Sequence, residues 1–168
     1  MKLPCFPLML VVLALGLAGP ALAVEVGQPS PDFDLPGRTA ALRLSELKGK
    51  VVYLDFWASW CGPCRQSFPW MAEMQSRYGA RGLRVVAVNL DQKSEDAKGF
   101  LRDNPAAFDV AFDAAGRTPR AYGIKGMPTS VLIGADGKVA MVHSGFRQED
   151  RDELERQIKL SLARLDSK

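Results

Sequence analysis

Two apolar runs joined by an amphipathic segment constrain the fold of this chain more than any other feature of its sequence. Val51–Trp57 is apolar on both alternating faces except at Asp55, which is typical of a strand buried on both sides. Val85–Leu90 repeats this pattern, and large side chains recur every three or four positions within Met71–Tyr78, as on one face of a helix. A strand, a helix and a strand within about forty residues form a βαβ unit, so we expect the two strands to be parallel.

Weaker patterns predict the remaining elements. Ser94 is expected to cap a further helix, and Val110–Phe112 is expected to form a short strand. Ser130–Gly134 and Lys138–His143 flank an Asp-Gly pair and predict a hairpin. A C-terminal helix is predicted to start near Gln148. The chain is therefore predicted to form one α/β domain with a central mixed β-sheet flanked by helices.

The N-terminus is predicted to be a signal peptide that spans residues 1–23 and does not belong to the fold. Lys2 supplies a positive charge, Leu8–Ala18 is apolar, and Ala21–Ala23 has the small-x-small pattern at which signal peptidase cuts. Because the apolar run is well short of the ~20 residues of a membrane-spanning helix, cleavage after this pattern is favoured, with an uncleaved membrane anchor as the alternative. Residues 24–168 then form the domain, which begins with an extended lead-in rich in proline and glycine.

Charge and cysteine content narrow the range of functions. The 22 basic and 19 acidic side chains are interleaved and leave a net charge of +3, which does not favour nucleic acid or anionic lipid as a partner. Of the three cysteines, Cys5 precedes the apolar run and is expected to leave with the signal peptide. Cys61 and Cys64 are then the two cysteines of the mature, exported protein, which lies in a compartment where disulfides persist.

The segment Trp60–Cys64 follows the first core strand and is expected to open the next helix, at the edge where open α/β sheets concentrate function. A helix N-terminus carries unsatisfied N–H groups and about half a positive charge, which stabilise a thiolate. Pro63 suits this position because its missing N–H costs nothing there. We therefore predict that Cys61 is an exposed nucleophile and that Cys64, one turn inside, is the resolving thiol. The alternative, a structural disulfide, is disfavoured because so short a loop contributes only about 2 kcal/mol, against about 4.7 kcal/mol for a loop of ~100 residues.

Asp55 and the Met127–Pro128 bond are two further candidates. A carboxylate in an apolar strand is costly when charged, so we expect the pKa of Asp55 to be raised. Asp55 lies about 7 Å along the strand from the cysteine edge, and we predict that it accepts the proton of Cys64 through one water. A hydrogen-bonded structural acid is the alternative. For the Met127–Pro128 bond, composition alone gives the cis form a probability of only about 5%.

These segments together resemble the thioredoxin superfamily. Asp55–Cys64, which reads DFWASWCGPC, is similar to its active-site block, and Tyr122–Thr129, which reads YGIKGMPT, is similar to the block that carries its cis-proline. The resemblance implies a thioredoxin fold, a redox-active disulfide between Cys61 and Cys64, and an aspartate in the proton-accepting role. It also implies that client proteins are bound by residues around the cysteines and the cis bond, namely Trp60, Gly62, Pro63, Gly126, Met127, Pro128 and Thr129.

Two features resemble the TlpA and ResA branch of that superfamily more than thioredoxin itself. Gly27–Leu35 is similar to the N-terminal extension of the branch, and roughly Lys93–Ala115 is similar to its helix-plus-strand insertion. The resemblance implies a membrane-linked or periplasmic thiol-disulfide oxidoreductase. We expect it to be monomeric and to use no cofactor or metal. The resemblance further implies that the enzyme reduces disulfides of client proteins and takes electrons from a membrane donor of the DsbD/CcdA type. Cytochrome c maturation is a frequent role of the branch, although that group carries an active-site glutamate where Ser59 and Gly62 stand here.

Three alternatives to a reductant remain. A disulfide-forming oxidant is disfavoured because the Gly-Pro pair is typical of potentials near about −270 mV, whereas strong oxidants lie near about −120 mV. A peroxidase shares the opening motif, but Leu54 and Ala58 stand where its proline and threonine belong. A copper-binding module would use both cysteines and His143 as three ligands.

Overall fold

The computed structural model describes residues 23–166, which contain seven strands and four α-helices. The strands are Asp34–Pro36 (β1), Ala41–Arg43 (β2), Val51–Trp57 (β3), Leu83–Asn89 (β4), Asp109–Phe112 (β5), Thr129–Ile133 (β6) and Val139–Ser144 (β7). The helices are Gly62–Tyr78 (α1), Ser94–Asp103 (α2), Arg117–Ala121 (α3) and Arg151–Asp166 (α4).

Five of the strands form one sheet in the order β5-β4-β3-β6-β7. The strands β3, β4 and β5 are parallel, whereas β6 pairs antiparallel with β3 and β7 pairs antiparallel with β6. The predicted βαβ unit is confirmed, because β3 and β4 pair along their whole length and α1 connects them. The central strand β3 is buried at every residue, which explains its almost unbroken apolar sequence.

Helices α1, α2 and α4 cover one face of the sheet, and the N-terminal segment covers much of the other. On the first face, the ring of Trp57 lies 4.9 Å from that of Phe68 in α1 and 4.7 Å from that of Phe100 in α2, measured between centroids. Because side chains alternate along a strand, Asp55 points to this same face, between Tyr53 and Trp57. The start of α1 therefore rests on a layer of packed aromatic side chains with one carboxyl group inside it.

The structure corrects one sequence prediction and adds two features, the β1–β2 hairpin and helix α3. Ser94 is the first residue of α2, and Lys93 occupies the N-cap position without a side-chain bond, so the predicted cap at Ser94 is wrong. The predicted extended lead-in contains β1, which forms a small antiparallel hairpin with β2. Helix α3 was not predicted, because five residues with an internal proline carry no helical repeat. The expected helix and strand within 93–115 are both present, as α2 and β5.

The predicted hairpin is confirmed as β6 and β7, and the C-terminal helix follows a 3₁₀ turn at Gln148–Asp150, close to its predicted start. The predicted signal peptide lies outside the described residues, apart from Ala23 at their beginning. None of the helices within residues 23–166 combines the length and the hydrophobicity that a membrane-spanning segment needs.

Candidate active site

Cys61 and Cys64 form a disulfide at the N-terminus of α1, with their Cα atoms 5.3 Å apart. The chain turns sharply after β3, and the N–H of Cys61 donates to the Ala58 carbonyl at 3.0 Å. This turn places Cys61 at the N-cap of α1, where its sulfur accepts a hydrogen bond from the backbone N–H of Cys64 at 3.3 Å. The first turn of the helix thus directs an N–H group at the sulfur that is predicted to carry negative charge. Pro63 occupies one of the first helical positions, as expected.

The two sulfur-bearing residues differ in their access to solvent. Cys61 is 5% exposed, whereas Cys64 is completely buried, so only the first cysteine reaches the surface. Cys61 is nevertheless more buried than the sequence analysis predicted, because in the disulfide it belongs to the same apolar cluster as Trp57 and Phe68. The neighbouring Trp60 is 74% exposed. Of the two cysteines, Cys61 is therefore the one that is accessible at this edge, next to an exposed tryptophan.

A buried carboxylate at the end of the neighbouring strand holds the loop that leads to the cysteines. Asp91 follows β4 and is 6% exposed. It accepts hydrogen bonds from the Ser59 N–H at 2.9 Å, the Ser59 hydroxyl at 3.0 Å and the Asn89 side-chain amide at 2.8 Å. The sequence analysis selected neither Asp91 nor Asn89. Their position at the end of a buried parallel strand was a usable signal, because polar residues at this edge concentrate at functional sites.

Asp55 lies in the centre of β3 and is 1% exposed. It stands opposite Ala87 of β4 on one side and Ser130 of β6 on the other. The Ser130 hydroxyl donates to Asp55 Oδ1 at 2.6 Å, whereas Oδ2 is buried and has no hydrogen-bond partner among residues 23–166. Burial raises the pKa of Asp55 from 3.8 to about 7, and the hydrogen bond from Ser130 opposes part of this rise. The predicted rise in pKa is confirmed, and the proton-accepting role stays a prediction.

The Met127–Pro128 peptide bond is cis, which confirms the expectation from the resemblance. Two hydrogen bonds fix the loop on either side of this bond: the Thr129 hydroxyl donates to the Gly126 carbonyl at 2.8 Å, and the Gly145 N–H donates to the Pro128 carbonyl at 2.8 Å. Within the described part of the chain, the N–H and C=O of Met127 make no backbone hydrogen bond. These two groups are available to pair with an extended chain that lies along the loop.

His143, the third ligand of the copper alternative, lies in β7 opposite Ser130. Its Nε2 atom lies 3.4 Å from Oδ2 of Asp150 and is not brought into a cluster with the cysteines. Over residues 23–166, no group of three or more His, Cys, Asp or Glu side chains is placed to hold a metal ion. The structure therefore offers no three-ligand site for copper in the part of the chain that it describes.

Two comparisons of sequence relate this geometry to known proteins. The model of the Redoxin family matches residues 25–158, which is most of the chain. The thiol-disulfide oxidoreductase ResA of Bacillus thuringiensis is 34% identical over 139 residues, which cover 81% of this chain and 78% of the relative.

Two solved structures are similar over nearly the same part of the chain. A proposed thiol:disulfide interchange protein DsbE from Chlorobium tepidum is 59% identical, with a TM-score of 0.82 over 83% of this chain and 99% of that one. The thioredoxin domain of a thiol-disulfide oxidoreductase from Bacteroides vulgatus is 22% identical, with a TM-score of 0.73 over 81% of this chain and 99% of that one. These matches confirm the predicted thioredoxin fold.

Proposed function

Because this chain belongs to the Redoxin family and is a thiol-disulfide oxidoreductase, we propose that it is a periplasmic enzyme that reduces disulfides in client proteins. The observation that carries this proposal is the Cys61–Cys64 pair at the N-terminus of α1, in which only Cys61 reaches the surface. The export signal predicted at residues 1–23 supports the location. In this proposal the enzyme acts as a monomer, and a membrane donor of the DsbD/CcdA type returns electrons to the oxidised pair.

The proposed reaction is a pair of thiol-disulfide exchanges. The Cys61 thiolate attacks one sulfur of the client disulfide, and the other client sulfur leaves as a thiolate that takes up a proton. This step leaves a mixed disulfide between Cys61 and the client. Cys64 then loses its proton and attacks the Cys61 sulfur, which releases the second client sulfur as a thiolate that is protonated in turn. The client gains two electrons and two protons, and the enzyme ends as the Cys61–Cys64 disulfide.

Asp55 is proposed to take the proton that Cys64 loses. A pKa of about 7 leaves about half of the Asp55 side chains deprotonated at neutral pH, so the group can both accept and return a proton there. Burial is the main cause of this raised pKa, and burial also keeps the proposed base away from bulk water. An ordinary exposed aspartate would be almost fully ionised at neutral pH and would be a far weaker base.

Client chains are proposed to bind across Trp60, Gly62 and Pro63 and along the cis loop, Gly126–Thr129. Trp60 supports this proposal because a side chain of its size is rarely left so exposed without a partner. Met127 adds an N–H and a C=O that make no backbone hydrogen bond within residues 23–166 and can pair with an extended client segment. Backbone pairing of this kind recognises a peptide without regard to its side chains.

Cytochrome c maturation is the client pathway favoured by the resemblance to the TlpA and ResA branch. Ser59 and Gly62 stand where the maturation group carries a glutamate, and Ser59 is instead bound to Asp91. We therefore propose that the enzyme reduces several classes of client protein, of which apocytochrome c is one, and that it is not dedicated to apocytochrome c.

The redox potential distinguishes the reductant from the oxidant alternative. Equilibration of the purified protein with thiol-disulfide buffers should give a midpoint near about −270 mV, and a value above about −150 mV would reverse the proposed direction of transfer. The wild-type enzyme should also accelerate insulin reduction by dithiothreitol, and Cys61→Ser should abolish the acceleration. A wild-type protein without this activity would remove the proposed function altogether.

A further inference from the structure

Two hydroxyl groups in series, those of Tyr53 and Ser130, lead to the buried carboxyl group of Asp55, and we call them the hydroxyl chain. The Tyr53 hydroxyl donates to Ser130 Oγ at 2.8 Å, and Ser130 Oγ donates to Asp55 Oδ1 at 2.6 Å. None of the three residues is more than 2% exposed. The hydroxyl chain connects β3 to β6, because Ser130 stands directly opposite Asp55 in the antiparallel pair.

The direction of these bonds follows from the surroundings of Tyr53. A buried phenol needs an acceptor for its proton, and within residues 23–166 that acceptor is Ser130 Oγ. Burial, together with the nearby negative charge of Asp55, raises the pKa of Tyr53, so the phenol keeps its proton. Because Ser130 Oγ accepts from Tyr53, its own single proton is directed at Asp55.

We propose that Ser130, held by Tyr53, is a positioning residue that keeps Asp55 Oδ1 as an acceptor and leaves Oδ2 as the oxygen that takes and returns the proton. Oδ2 is the oxygen with no partner among the described residues, so it has the free capacity to bind a proton. A carboxyl group without this anchor could rotate and present either oxygen, whereas an anchored one presents the same atom in every cycle. The inference rests on the proposed role of Asp55 as the acceptor of the Cys64 proton.

Other titratable groups surround Asp55 without bonding to it. His143 stands opposite Ser130 in the same cross-strand row, and its Nε2 atom lies 3.4 Å from Asp150. The elements packed around Asp55 carry several titratable and charged side chains, among them Tyr53 in β3, Arg84 in β4, Cys61 and Cys64 at the start of α1, His143 in β7, and Asp150 and Arg151 where α4 begins. Over residues 23–166, Ser130 donates the one hydrogen bond that Asp55 receives on its side chain. The hydroxyl chain is therefore the direct polar influence on this carboxyl group.

The oxidised protein is the suitable state for a test, because cysteines in a disulfide do not titrate and cannot disturb the titration of Asp55. The pKa of Asp55 would be measured from the NMR shift of its carboxyl carbon in wild type, Ser130→Ala and Tyr53→Phe. Ser161→Ala removes another buried serine hydroxyl, in α4, and is the matched control.

The expected rise in the pKa of Asp55 differs among the three variants. Ser130→Ala should raise the pKa of Asp55 by about one to two pH units, because the lost hydrogen bond favoured the charged form. Tyr53→Phe should raise it less, because Ser130 keeps its hydroxyl but loses the bond that directs it. Ser161→Ala should leave it unchanged. An unchanged pKa in folded Ser130→Ala overturns the positioning role, as does an equal rise in Ser161→Ala. Should Ser130→Ala fail to fold, Tyr53→Phe decides the question, and no rise there overturns the role.

The pH profile of insulin reduction separates this inference from the proposed function. In Ser130→Ala, the pH of half-maximal rate should rise together with the pKa of Asp55. A pKa that moves while the rate profile stays in place would keep Ser130 as the anchor of Asp55 and would refute Asp55 as the proton acceptor of Cys64.

Discussion

Replacement of Asp55 by asparagine tests the carboxyl group that the fold buries in its central strand. Its pKa is 3.8 in an ordinary environment and about 7 in the folded protein, because burial disfavours the charged form. The folded protein therefore binds this proton more tightly than the unfolded chain does. Asp55 costs little stability below about pH 4, where the folded state is protonated and the unfolded chain largely so. Its cost grows between about pH 4 and 7 and is complete above that range.

The size of the effect follows from the same two values. A difference of about 3 pH units corresponds to about 4 kcal/mol in the free energy of unfolding. Asparagine has nearly the same shape, and its side-chain oxygen can still accept the hydrogen bond from Ser130. We therefore expect Asp55→Asn to be as stable as wild type near pH 4 and more stable by up to about 4 kcal/mol at pH 8.

Urea unfolding of the oxidised proteins at several values between pH 4 and pH 8 measures this difference. Asp103→Asn, at an exposed position in α2, is the control for the same chemical change outside the core. A stability difference between wild type and Asp55→Asn that does not grow with pH would refute the reasoning. The same variant should slow insulin reduction near neutral pH, because it removes the proposed base.

Two other variants test the roles assigned around the cysteines. Cys64→Ser should accumulate client proteins as mixed disulfides on Cys61, visible on non-reducing gels, and equal trapping by Cys61→Ser would contradict the order of attack. Asp91→Ala should lower the free energy of unfolding by about 2–4 kcal/mol, because three donors from Ser59 and Asn89 lose their acceptor. Urea titration measures this loss, which should be smaller in Asp91→Asn. Unchanged stability in Asp91→Ala would show that the loop at Ser59 keeps its conformation without Asp91.

The parts of the fold that were predictable are those whose sequence repeats over several turns or residues. Strands β3 and β4 have long apolar runs, and α1 and α4 have helical spacing, so each pattern carries enough positions to be distinguished from chance. Strands β1 and β2 have three residues each and are held by their pairing and by the burial of Leu35 against the sheet. Such elements depend on tertiary contacts, which a single short segment does not reveal.

The candidate site was likewise predictable only where its residues lie in local sequence patterns. The cysteine pair and the cis bond lie in local motifs, and Asp55 stands out because a carboxyl group conflicts with its apolar strand. The partners of the buried carboxyl groups lie far away in sequence: Ser130 is 75 residues from Asp55, and Asp91 is 32 residues from Ser59. Only the register of β3 against β6 and the common ending of β3 and β4 bring these pairs together.

Asp55 and Asp91 have the same chemical group and nearly the same burial, so burial alone cannot assign their functions. The oxygens of Asp91 accept three hydrogen bonds from fixed donors on two segments, which suits a group that holds a loop in place. Asp55 accepts one hydrogen bond on Oδ1 and keeps Oδ2 bare among the described residues, which suits a group that gains and loses a proton. The number of donors that the surrounding segments supply to each carboxyl group is therefore the physical difference between Asp91, which anchors a loop, and Asp55, the proposed base.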